Sequence, residues 1–433
     1  MKGYQFEDTQ GTFHLKKAEN ISYLYFPIAG EAGLKSSLTP NLGGDAKIDQ
    51  NTFLLEPVSA ENLVNNRNSR NFWCNVKGIG SWSLTGNAAE ALSKKFTEMQ
   101  DDSEVTAGFM WQKTTRESKK YQLRGEILSF IPVEKNVEVM LVTITNTGRM
   151  AQTVTPTAAI PLYGRSADNI RDHRHVTSLL HRIETTDIGV LVTPTLSFDE
   201  RGHQVNHMTY YCVGWSGNGE KPVDFYPTAE DFVGEGGNFE RPYAIVKNAE
   251  GVKAGTRIEG LEAVGGLHFS EVTLEPEEEC SYLIFTGITE DIQEIRNLSK
   301  TYTTREMVLE ELEKTKAYWQ EKVNVAYHTG DSDFNQFMHW VSFQPILRRI
   351  YGCSFLPHHD YGKGGRGWRD LWQDCLALLI MNPDGVRQML LDNFAGVRVD
   401  GSNVDDLTVD GVREDVITIG LNLKAVKLLN EVE

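Results

Sequence analysis

Residues 360–374 of the 433-residue chain read DYGKGGRGWRDLWQD. Four glycines within six residues give this loop backbone conformations that other residues rarely adopt. The loop runs into two arginines, two tryptophans and two aspartates. A helix beginning near Arg369 would place Asp370 and Asp374 four residues apart on one face, a like-charge pair that costs an isolated helix about 0.2–0.5 kcal/mol. The stretch therefore predicts a compensating partner, which is either a set of arginines or a hydroxyl-rich ligand.

Two interpretations of this loop follow from its residue types. In the first, Arg366 and Arg369 pair with Asp370 and Asp374 in a structural ion network, and the tryptophans belong to the core. In the second, the loop binds a sugar, because the apolar faces of sugars stack on Trp while Asp and Arg hydrogen-bond the hydroxyls in fixed directions. The composition of the loop leaves both interpretations open.

The overall composition limits the class of protein. A length of 433 residues, at roughly 100–200 residues per domain, predicts two or three domains. With 60 acidic and 43 basic residues, the net charge of −17 disfavours nucleic acid and anionic membranes as partners, because both favour a basic surface. We expect a cytoplasmic protein, since no signal-like leader and no run of about 18 apolar residues occurs.

Neither a metal site nor a phosphate loop is indicated. Five scattered cysteines without C-x-x-C spacing predict reduced, buried thiols (Cys74, Cys212, Cys280, Cys353 and Cys375). His173 and His175 lie in the polar segment 165–175, but no third ligand has suitable spacing, so we interpret the segment as a solvated loop. The glycine cluster 233–237 lacks a following helix and a Lys-Ser/Thr pair, and predicts a surface turn.

Residues 1 to about 290 are rich in strand patterns. Predicted strands at 21–26, 106–111, 121–127 and 137–144 are separated by clusters of Gly, Asn, Asp and Pro. Many short strands without helices between them indicate antiparallel sheets, most simply two packed sheets in a large sandwich.

The periodicity becomes helical after residue 290. Thr303 and Glu306 form a capping-box pattern, and an amphipathic linker helix follows with apolar positions three or four residues apart (Val308, Leu312, Thr315, Trp319 and Val323). A second helix begins near Phe334, is broken near Pro345 and continues to Tyr351.

The glycine-rich loop is followed by more helical pattern. An apolar stripe predicts a helix in which Asp370 and Asp374 are free to face a cavity. Asn382 and Pro383 predict the start of another helix, which runs through Phe394. A last apolar stretch covers residues 416–429.

The domain order and two sequence segments resemble a known enzyme family. GGRGWRDLWQD at 364–374 and NFAGVRVDG at 393–401 are similar to the glycoside phosphorylases of glycoside hydrolase family 94, which include cellobiose, cellodextrin and chitobiose phosphorylases. Within that family they resemble the 1,2-β-oligoglucan phosphorylases in particular. The resemblance covers about residues 1–405 and is specific at the Arg-Asp-x-x-x-Asp loop. It implies a multidomain β + α fold with a galactose-mutarotase-like antiparallel super-sandwich (1–290), a helical linker (291–330) and the first helices of an incomplete (α/α)6 barrel (331–433).

The resemblance also implies an activity. Inorganic phosphate would cleave a β-glucoside or oligoglucan with inversion and release a sugar 1-phosphate, without a metal or other cofactor. Arg366, Arg369 and Asp370 would hold the sugar at the subsite that receives the phosphate, with Trp368 and Asp374 beside them. The expected partners are an oligosaccharide and phosphate, together with a second copy of the chain or a complementing downstream chain.

The chain departs from the family in one respect. The family places its general acid in a Gly-Asp-Trp-Asn-Asp-like segment, which this sequence lacks. The pattern after residue 330 predicts only about four or five helices of the barrel. We therefore expect the front part of a longer enzyme, inactive alone; the alternative is a non-catalytic carbohydrate-binding or assembly subunit. A hydrolase using Asp370 and Asp374 is disfavoured, because inversion needs carboxyl groups on opposite faces of the sugar, about 6.5–9.5 Å apart.

Overall fold

The computed structural model describes residues 4–21, 24–59, 63, 69–199, 202–351 and 368–394. The described residues form two units, the first extending through Tyr318 and the second beginning at Trp319. In the first unit, strands make up nearly all of the regular structure before Thr289, and helices follow. The predicted order of an antiparallel sandwich followed by helices is confirmed. The finer division at residues 290 and 330 and the barrel remain predictions.

Twenty-three strands are present in the described residues. They are β1 (Tyr4–Phe6), β2 (Phe13–Lys16), β3 (Phe26–Ala29), β4 (Lys35–Leu38), β5 (Ala46–Asp49), β6 (Thr52–Leu55), β7 (Asn71–Val76), β8 (Gly80–Ser83), β9 (Asp102–Gly108), β10 (Trp111–Ser118), β11 (Leu123–Phe130), β12 (Val137–Asn146), β13 (Gln152–Leu162), β14 (Arg182–Thr185), β15 (Gly189–Val192), β16 (Leu196–Asp199), β17 (Gly202–Val205), β18 (Thr209–Ser216), β19 (Asp224–Thr228), β20 (Arg257–Glu259), β21 (Ala263–His268), β22 (Val272–Leu274) and β23 (Glu279–Thr289).

Nine α-helices are described. They are α1 (Ala89–Ser93), α2 (Arg174–Ser178), α3 (Ala229–Val233), α4 (Tyr243–Lys247), α5 (Ile292–Thr301), α6 (Arg305–Lys322), α7 (Ser332–Tyr351), α8 (Trp368–Met381) and α9 (Val386–Phe394). Two short 3₁₀ helices cover Ala18–Asn20 and Ala167–Arg171. Among the helices in these ranges, none is long and apolar enough to cross a membrane.

The strands pair antiparallel in two large sheets. The order in the eleven-stranded sheet is β1-β2-β9-β10-β11-β12-β23-β18-β15-β14-β20, and in the second sheet it is β19-β21-β13-β7-β8, with β22 also on β13. Strands β3 to β6 form a four-stranded sheet, and β16 pairs with β17. The main core lies between the sheets and includes Phe72, Ile127 and Leu267. All ten residues of β12 are buried because its other face packs under α5 and the start of α6, against Leu298 and Leu312.

Two of the predicted strands differ from the structure. Segment 106–111 contains the end of β9 and the first residue of β10, and the chain turns between them at Phe109 and Met110, where Met110 takes a left-handed φ of 62°. Phe109 and Met110 are buried, so this turn lacks the polar residues that usually mark one. The segment predicted at 21–26 contributes only Phe26 to β3. The segment predicted at 137–144 is confirmed as β12.

Helix α6 confirms the predicted amphipathic helix. Four of the predicted apolar positions lie in α6 and the fifth, Val323, directly follows it; all five are buried: Val308, Leu312, Thr315, Trp319 and Val323. Its start differs from the prediction, because Glu306 hydrogen-bonds its own backbone and the Thr304 side chain rather than Thr303, which lowers the pKa of Glu306.

Two later helix predictions need correction. Helix α7 is not broken at Pro345, which lies inside it. Proline removes the bond to the carbonyl of Val341, and because Val341 is 41% exposed, solvent can hydrate that carbonyl. Helix α9 begins at Val386, three residues after Pro383, because Gly385 turns the chain with a φ of 76°. The apolar stretch 416–429 lies outside the described residues.

The described thiols follow the prediction in part. Cys74, Cys212 and Cys375 are buried, Cys280 is half-buried, and none of these four forms a disulfide. Burial raises the pKa of the thiols of Cys74, Cys212 and Cys280, that of Cys280 to about 11.

A buried ion network joins β4, β12 and the residue before β7. The guanidinium of Arg70 donates to both carboxylate oxygens of Glu138, from Nε at 2.5 Å and Nη2 at 3.0 Å, and both side chains are fully buried. Arg70 also donates to the carbonyls of Gly44 and Asp45 at 2.9 and 3.1 Å, and Ser36 Oγ donates to Glu138 at 2.6 Å. The network is charge-balanced and hydrogen-bonded throughout, as buried charges require.

A second, more exposed cluster surrounds Glu90 on α1. Its carboxylate accepts hydrogen bonds from Lys94 Nζ at 2.7 Å, Lys120 Nζ at 2.8 Å and Tyr121 Oη at 2.9 Å. Burial alone would raise the pKa of Glu90, but these hydrogen bonds outweigh burial and lower the pKa to about 2. A carboxyl group with a lowered pKa in the folded state stabilises the protein above its ordinary value of 4.5, and this contribution is lost as the pH falls toward 2.

We expect Glu90→Gln to lower the free energy of unfolding at pH 7 by about 0.2–1 kcal/mol, the range of partly exposed ion pairs. The difference from wild type should shrink between pH 4.5 and pH 2, where wild-type Glu90 takes up its proton. Urea unfolding at several pH values measures both effects. Glu98→Gln, an exposed carboxylate near α1, is the matched control and should show neither. A Glu90→Gln effect that does not change with pH would contradict this assignment.

Candidate functional site

The predicted sugar-binding loop is described in part. Trp368, Arg369 and Asp370 form the first turn of α8, as the sequence predicted, although only their backbone is described. Arg366 lies outside the described residues. The sugar-binding roles of these four residues remain predictions.

Asp374, one helical turn further, has a partner that the sequence did not indicate. Arg348 on α7 donates from Nη1 to Asp374 Oδ1 at 2.9 Å. The Asp374 side chain is 10% exposed, and whether it faces a sugar-binding cavity stays a prediction. One arginine that compensates this carboxylate comes from another helix, and no local spacing rule reveals it.

The polar segment 165–175 is folded rather than a plain loop. Ser166 Oγ accepts from the backbone N–H of Asp168 at 3.2 Å, and the 3₁₀ helix Ala167–Arg171 and then α2 follow. His173 and His175 are exposed, with ring centroids 5.6 Å apart. Among the described residues no group of three or more His, Cys, Asp or Glu side chains could hold a metal ion.

A cleft in the first unit opens at the start of this segment. Its cavity volume is about 20 Å³, enough for one or two water molecules, and it opens to solvent. Strand β13 ends beside it, and the chain just after β6 contributes Glu56. Its lining residues are Glu56, Pro161, Leu162, Tyr163, Arg165, Arg174, Ala229, Phe239, Glu262 and Ala263. We call this the Arg165 cleft.

Hydrogen bonds to β6 hold the backbone around Arg165. Tyr163 N–H donates to the carbonyl of Leu54 at 2.8 Å, Gly164 N–H to Phe53 at 3.1 Å, and Phe53 N–H to the carbonyl of Arg165 at 3.0 Å. Gly164 has a φ of 60°, a left-handed conformation that favours glycine, and it turns the chain between the two flanking side chains. Arg165 is therefore held on a rigid strand end.

The guanidinium of Arg165 is the unusual feature of the cleft. The residue is 6% exposed, and its guanidinium stacks on the ring of Tyr163 at 5.1 Å from the centroid. Within the described part of the chain its side chain forms no hydrogen bond or ion pair, and Nε is buried without a partner. Burial lowers the pKa of Arg165, yet an arginine keeps its charge in proteins. A buried cation of this kind has hydrogen bonds to offer a ligand.

The other charges of the cleft are one guanidinium and two carboxylates, so they carry one net negative charge, which Arg165 offsets without touching either carboxylate. Arg174 donates to Glu56 and lies 3.5 Å from Glu262. Burial raises the pKa of Tyr163, so its hydroxyl stays neutral. His181, fully buried beside this group, has a pKa lowered to about 3 by burial and by the charge of Arg165. The imidazole is therefore uncharged at neutral pH, and Arg165 is the cation without a counter-ion contact in the described cleft.

The lining of the cleft has groups that hydrogen-bond hydroxyls. It offers guanidinium donors, carboxylate acceptors and two aromatic side chains, Tyr163 and Phe239. The sequence did not indicate this site, because Glu56, Arg165 and Glu262 are far apart along the chain. The one local signal was a Gly-Arg pair directly after a buried strand.

Sequence comparison identifies the family. A family model described as the glycosyl hydrolase 94 supersandwich domain matches residues 58–305, more than half of the chain. The chain therefore belongs to glycosyl hydrolase family 94. No curated protein matches it in sequence.

Several solved structures are similar to the chain. A bacterial glucoamylase in complex with acarbose has a TM-score of 0.46 and 10% identity, covering 93% of this chain and 50% of its own. A structure named as a kojibiose phosphorylase from the human microbiome has a TM-score of 0.48 and 8% identity, covering 90% and 49%. One named as an aldose 1-epimerase from Escherichia coli K12 has a TM-score of 0.31 and 8% identity, covering 61% and 99%. The chain thus spans about half the length of the first two.

Proposed function

We propose that this chain takes part in the inverting phosphorolysis of β-linked glucosides or oligoglucans, which releases a sugar 1-phosphate. The observation that carries the proposal is the family 94 supersandwich match over residues 58–305. The GGRGWRD segment at the start of α8 supports it, because its residue types suit a sugar.

The reaction requires few catalytic groups from the protein. Phosphate already carries a nucleophilic oxygen, so the reaction needs one acid to protonate the leaving oxygen and cationic groups that tolerate the anion. In the proposal Arg366, Arg369 and Asp370 hold the sugar, with Trp368 and Asp374 beside them. Inorganic phosphate is the co-substrate, and no other cofactor has a role.

The Arg165 cleft supports carbohydrate recognition by the first unit. A buried guanidinium without a partner among the described residues gains most from a ligand that accepts hydrogen bonds in fixed directions. The carboxylates of Glu56 and Glu262 add acceptors for hydroxyl donors, and the half-buried ring of Phe239 adds an apolar surface. In the proposal this cleft contacts hydroxyl groups of the glucan.

In this proposal the general acid lies outside the 433 residues of this chain. The sequence contains no Gly-Asp-Trp-Asn-Asp-like segment. We propose that residues outside this sequence supply the acid, and that the 433-residue chain alone has no turnover. The test is to incubate the chain with β-1,2-linked oligoglucan and phosphate and to measure glucose 1-phosphate. None is expected until a chain with the acid segment is added; robust turnover by this chain alone would contradict the proposal.

Asp370→Asn should weaken glucan binding. Loss of a charge-assisted hydrogen bond is worth about 1.5–3 kcal/mol, which is roughly a tenfold to 150-fold loss of affinity in calorimetry. Asp384→Asn, the same change at an 87% exposed side chain in the second unit, is the control and should leave the affinity unchanged. An unchanged affinity in Asp370→Asn would favour the structural ion network.

A second candidate function is a non-catalytic carbohydrate-binding subunit. The Arg165 cleft favours it specifically, because this cleft can bind a sugar without any general acid. The two functions differ in one outcome: a binding subunit would bind glucan yet give no glucose 1-phosphate even with the acid-bearing chain present.

A further inference from the structure

The ion pair between α7 and α8 has a feature that a simple surface salt bridge lacks. The two side chains are unequally exposed: Asp374 is 10% exposed, whereas Arg348 is 42% exposed. A carboxylate loses much of its hydration at such a position unless a charged donor replaces the water. The 2.9 Å bond from Arg348 Nη1 provides that donor and fixes the direction of the carboxylate.

The position of Asp374 on α8 connects this pair to the predicted sugar site. Asp370 precedes Asp374 by four residues, so their backbone positions lie on the same helix face, about 6 Å apart along the axis. Two like charges at this spacing repel one another, and Arg348 offsets that repulsion from its place on α7. Trp372, 3% exposed with its ring 5.0 Å from that of Phe394, packs α8 against α9. Contacts to α7 and α9 together set the rotation of α8 about its axis.

We propose that Arg348 is a positioning residue for the sugar-binding turn of α8, acting through Asp374. The inference rests on the proposed function, because it assumes that the turn beginning at Trp368 binds the sugar. Arg348 itself does not contact the sugar in this proposal. It holds the helix turn so that Asp370 has one fixed backbone position, and losing a charge-assisted hydrogen bond from that position costs roughly tenfold to 150-fold in affinity.

A purely structural role for the pair predicts a different result. A pair that only joins α7 to α8 would change the free energy of unfolding and leave the affinity of the folded protein for sugar intact. A positioning residue changes the affinity at a temperature where the protein is fully folded. Affinity and unfolding must therefore be measured on the same variants.

The test compares three variants of the full chain by calorimetric titration with β-1,2-linked glucan oligosaccharides, alongside thermal unfolding followed by circular dichroism. Arg348→Met is expected to bind roughly tenfold to 150-fold more weakly than wild type. Arg348→Lys keeps the charge with a shorter, less directional donor, so an intermediate loss of about threefold is expected. Lys322→Met removes a positive charge from the same unit, at a side chain 3.8 Å from Asp384, and should bind like wild type.

The outcomes separate the inference from the proposed function. Wild-type affinity in folded Arg348→Met would overturn the inference while the proposed function stands. If Arg348→Met does not fold, Arg348→Lys decides, and wild-type affinity in that variant would overturn the inference. A wild-type chain that binds none of the oligosaccharides would overturn the proposed function and the inference with it.

Discussion

Replacing Arg165 by methionine is expected to weaken glucan binding by roughly tenfold to 150-fold, the loss of about 1.5–3 kcal/mol from charge-assisted hydrogen bonds. The reason is the state of Arg165 in the described structure. Its guanidinium is buried, stacked on Tyr163, and without a hydrogen-bond or ion-pair partner in the described residues. A ligand hydroxyl therefore gains a donor that no protein group has already taken.

The same substitution should change the stability of the fold little. Arg165 makes no hydrogen bond or ion pair among the described residues, so its loss removes only the more distant attraction of Glu56 and Glu262, and it also removes the cost of burying the guanidinium. A large loss of affinity with a small change in the free energy of unfolding distinguishes a ligand-binding arginine from a structural one. Calorimetric titration and urea unfolding measure the two quantities.

Arg149→Met provides the matched control for Arg165→Met. Arg149 lies on the exposed turn between β12 and β13, in the same unit, and its loss makes the same change in net charge. We expect it to alter neither affinity nor stability. A destabilised Arg165→Met protein with wild-type affinity would show that Arg165 is structural.

The second large effect is on stability. Arg70→Met is expected to lower the free energy of unfolding by about 3–5 kcal/mol, because it leaves the carboxylate of Glu138 buried without its cation. Both side chains are fully buried, and the carbonyls of Gly44 and Asp45 also lose their donor. Urea unfolding at pH 7 measures the loss.

A double variant tests the cause of that loss. Combining Arg70→Met with Glu138→Leu removes both charges, and pairs replaced by apolar residues are often close to neutral. The double variant should therefore be more stable than Arg70→Met alone. If the single substitution costs less than about 1 kcal/mol, the network does not carry the stability that we attribute to it.

Patterns that repeat along the chain predicted much of the fold. The five apolar positions predicted for α6 recur with the helical period, and all are buried. Strand β12 was predicted from its continuous β-branched and apolar run. The hairpin at Gly108–Trp111 was not predicted, because its turn residues are buried and apolar, and Met110 takes a left-handed conformation that composition does not show.

The candidate sites were less predictable, because their contacts join distant parts of the chain. One partner of Asp374 is Arg348, on the preceding helix, which no pattern in the loop itself indicated. In the Arg165 cleft, Glu56 and Glu262 lie beside the end of β13, a strand that falls between these two residues in the sequence. Local patterns describe one element at a time, so pairings of this kind become visible only once the sheets and helices are assembled.

The measurement that tests the central claim most directly is a calorimetric titration of the wild-type chain with β-1,2-linked glucan oligosaccharides, with α-1,4-linked maltooligosaccharides of the same length as the control. We predict saturable binding of the β-linked series, weakened by Arg165→Met and by Asp370→Asn, and no saturable binding of the α-linked series. Heats no larger than dilution for the β-linked series, at any length tested, would contradict the claim that this family 94 chain recognises β-linked glucan.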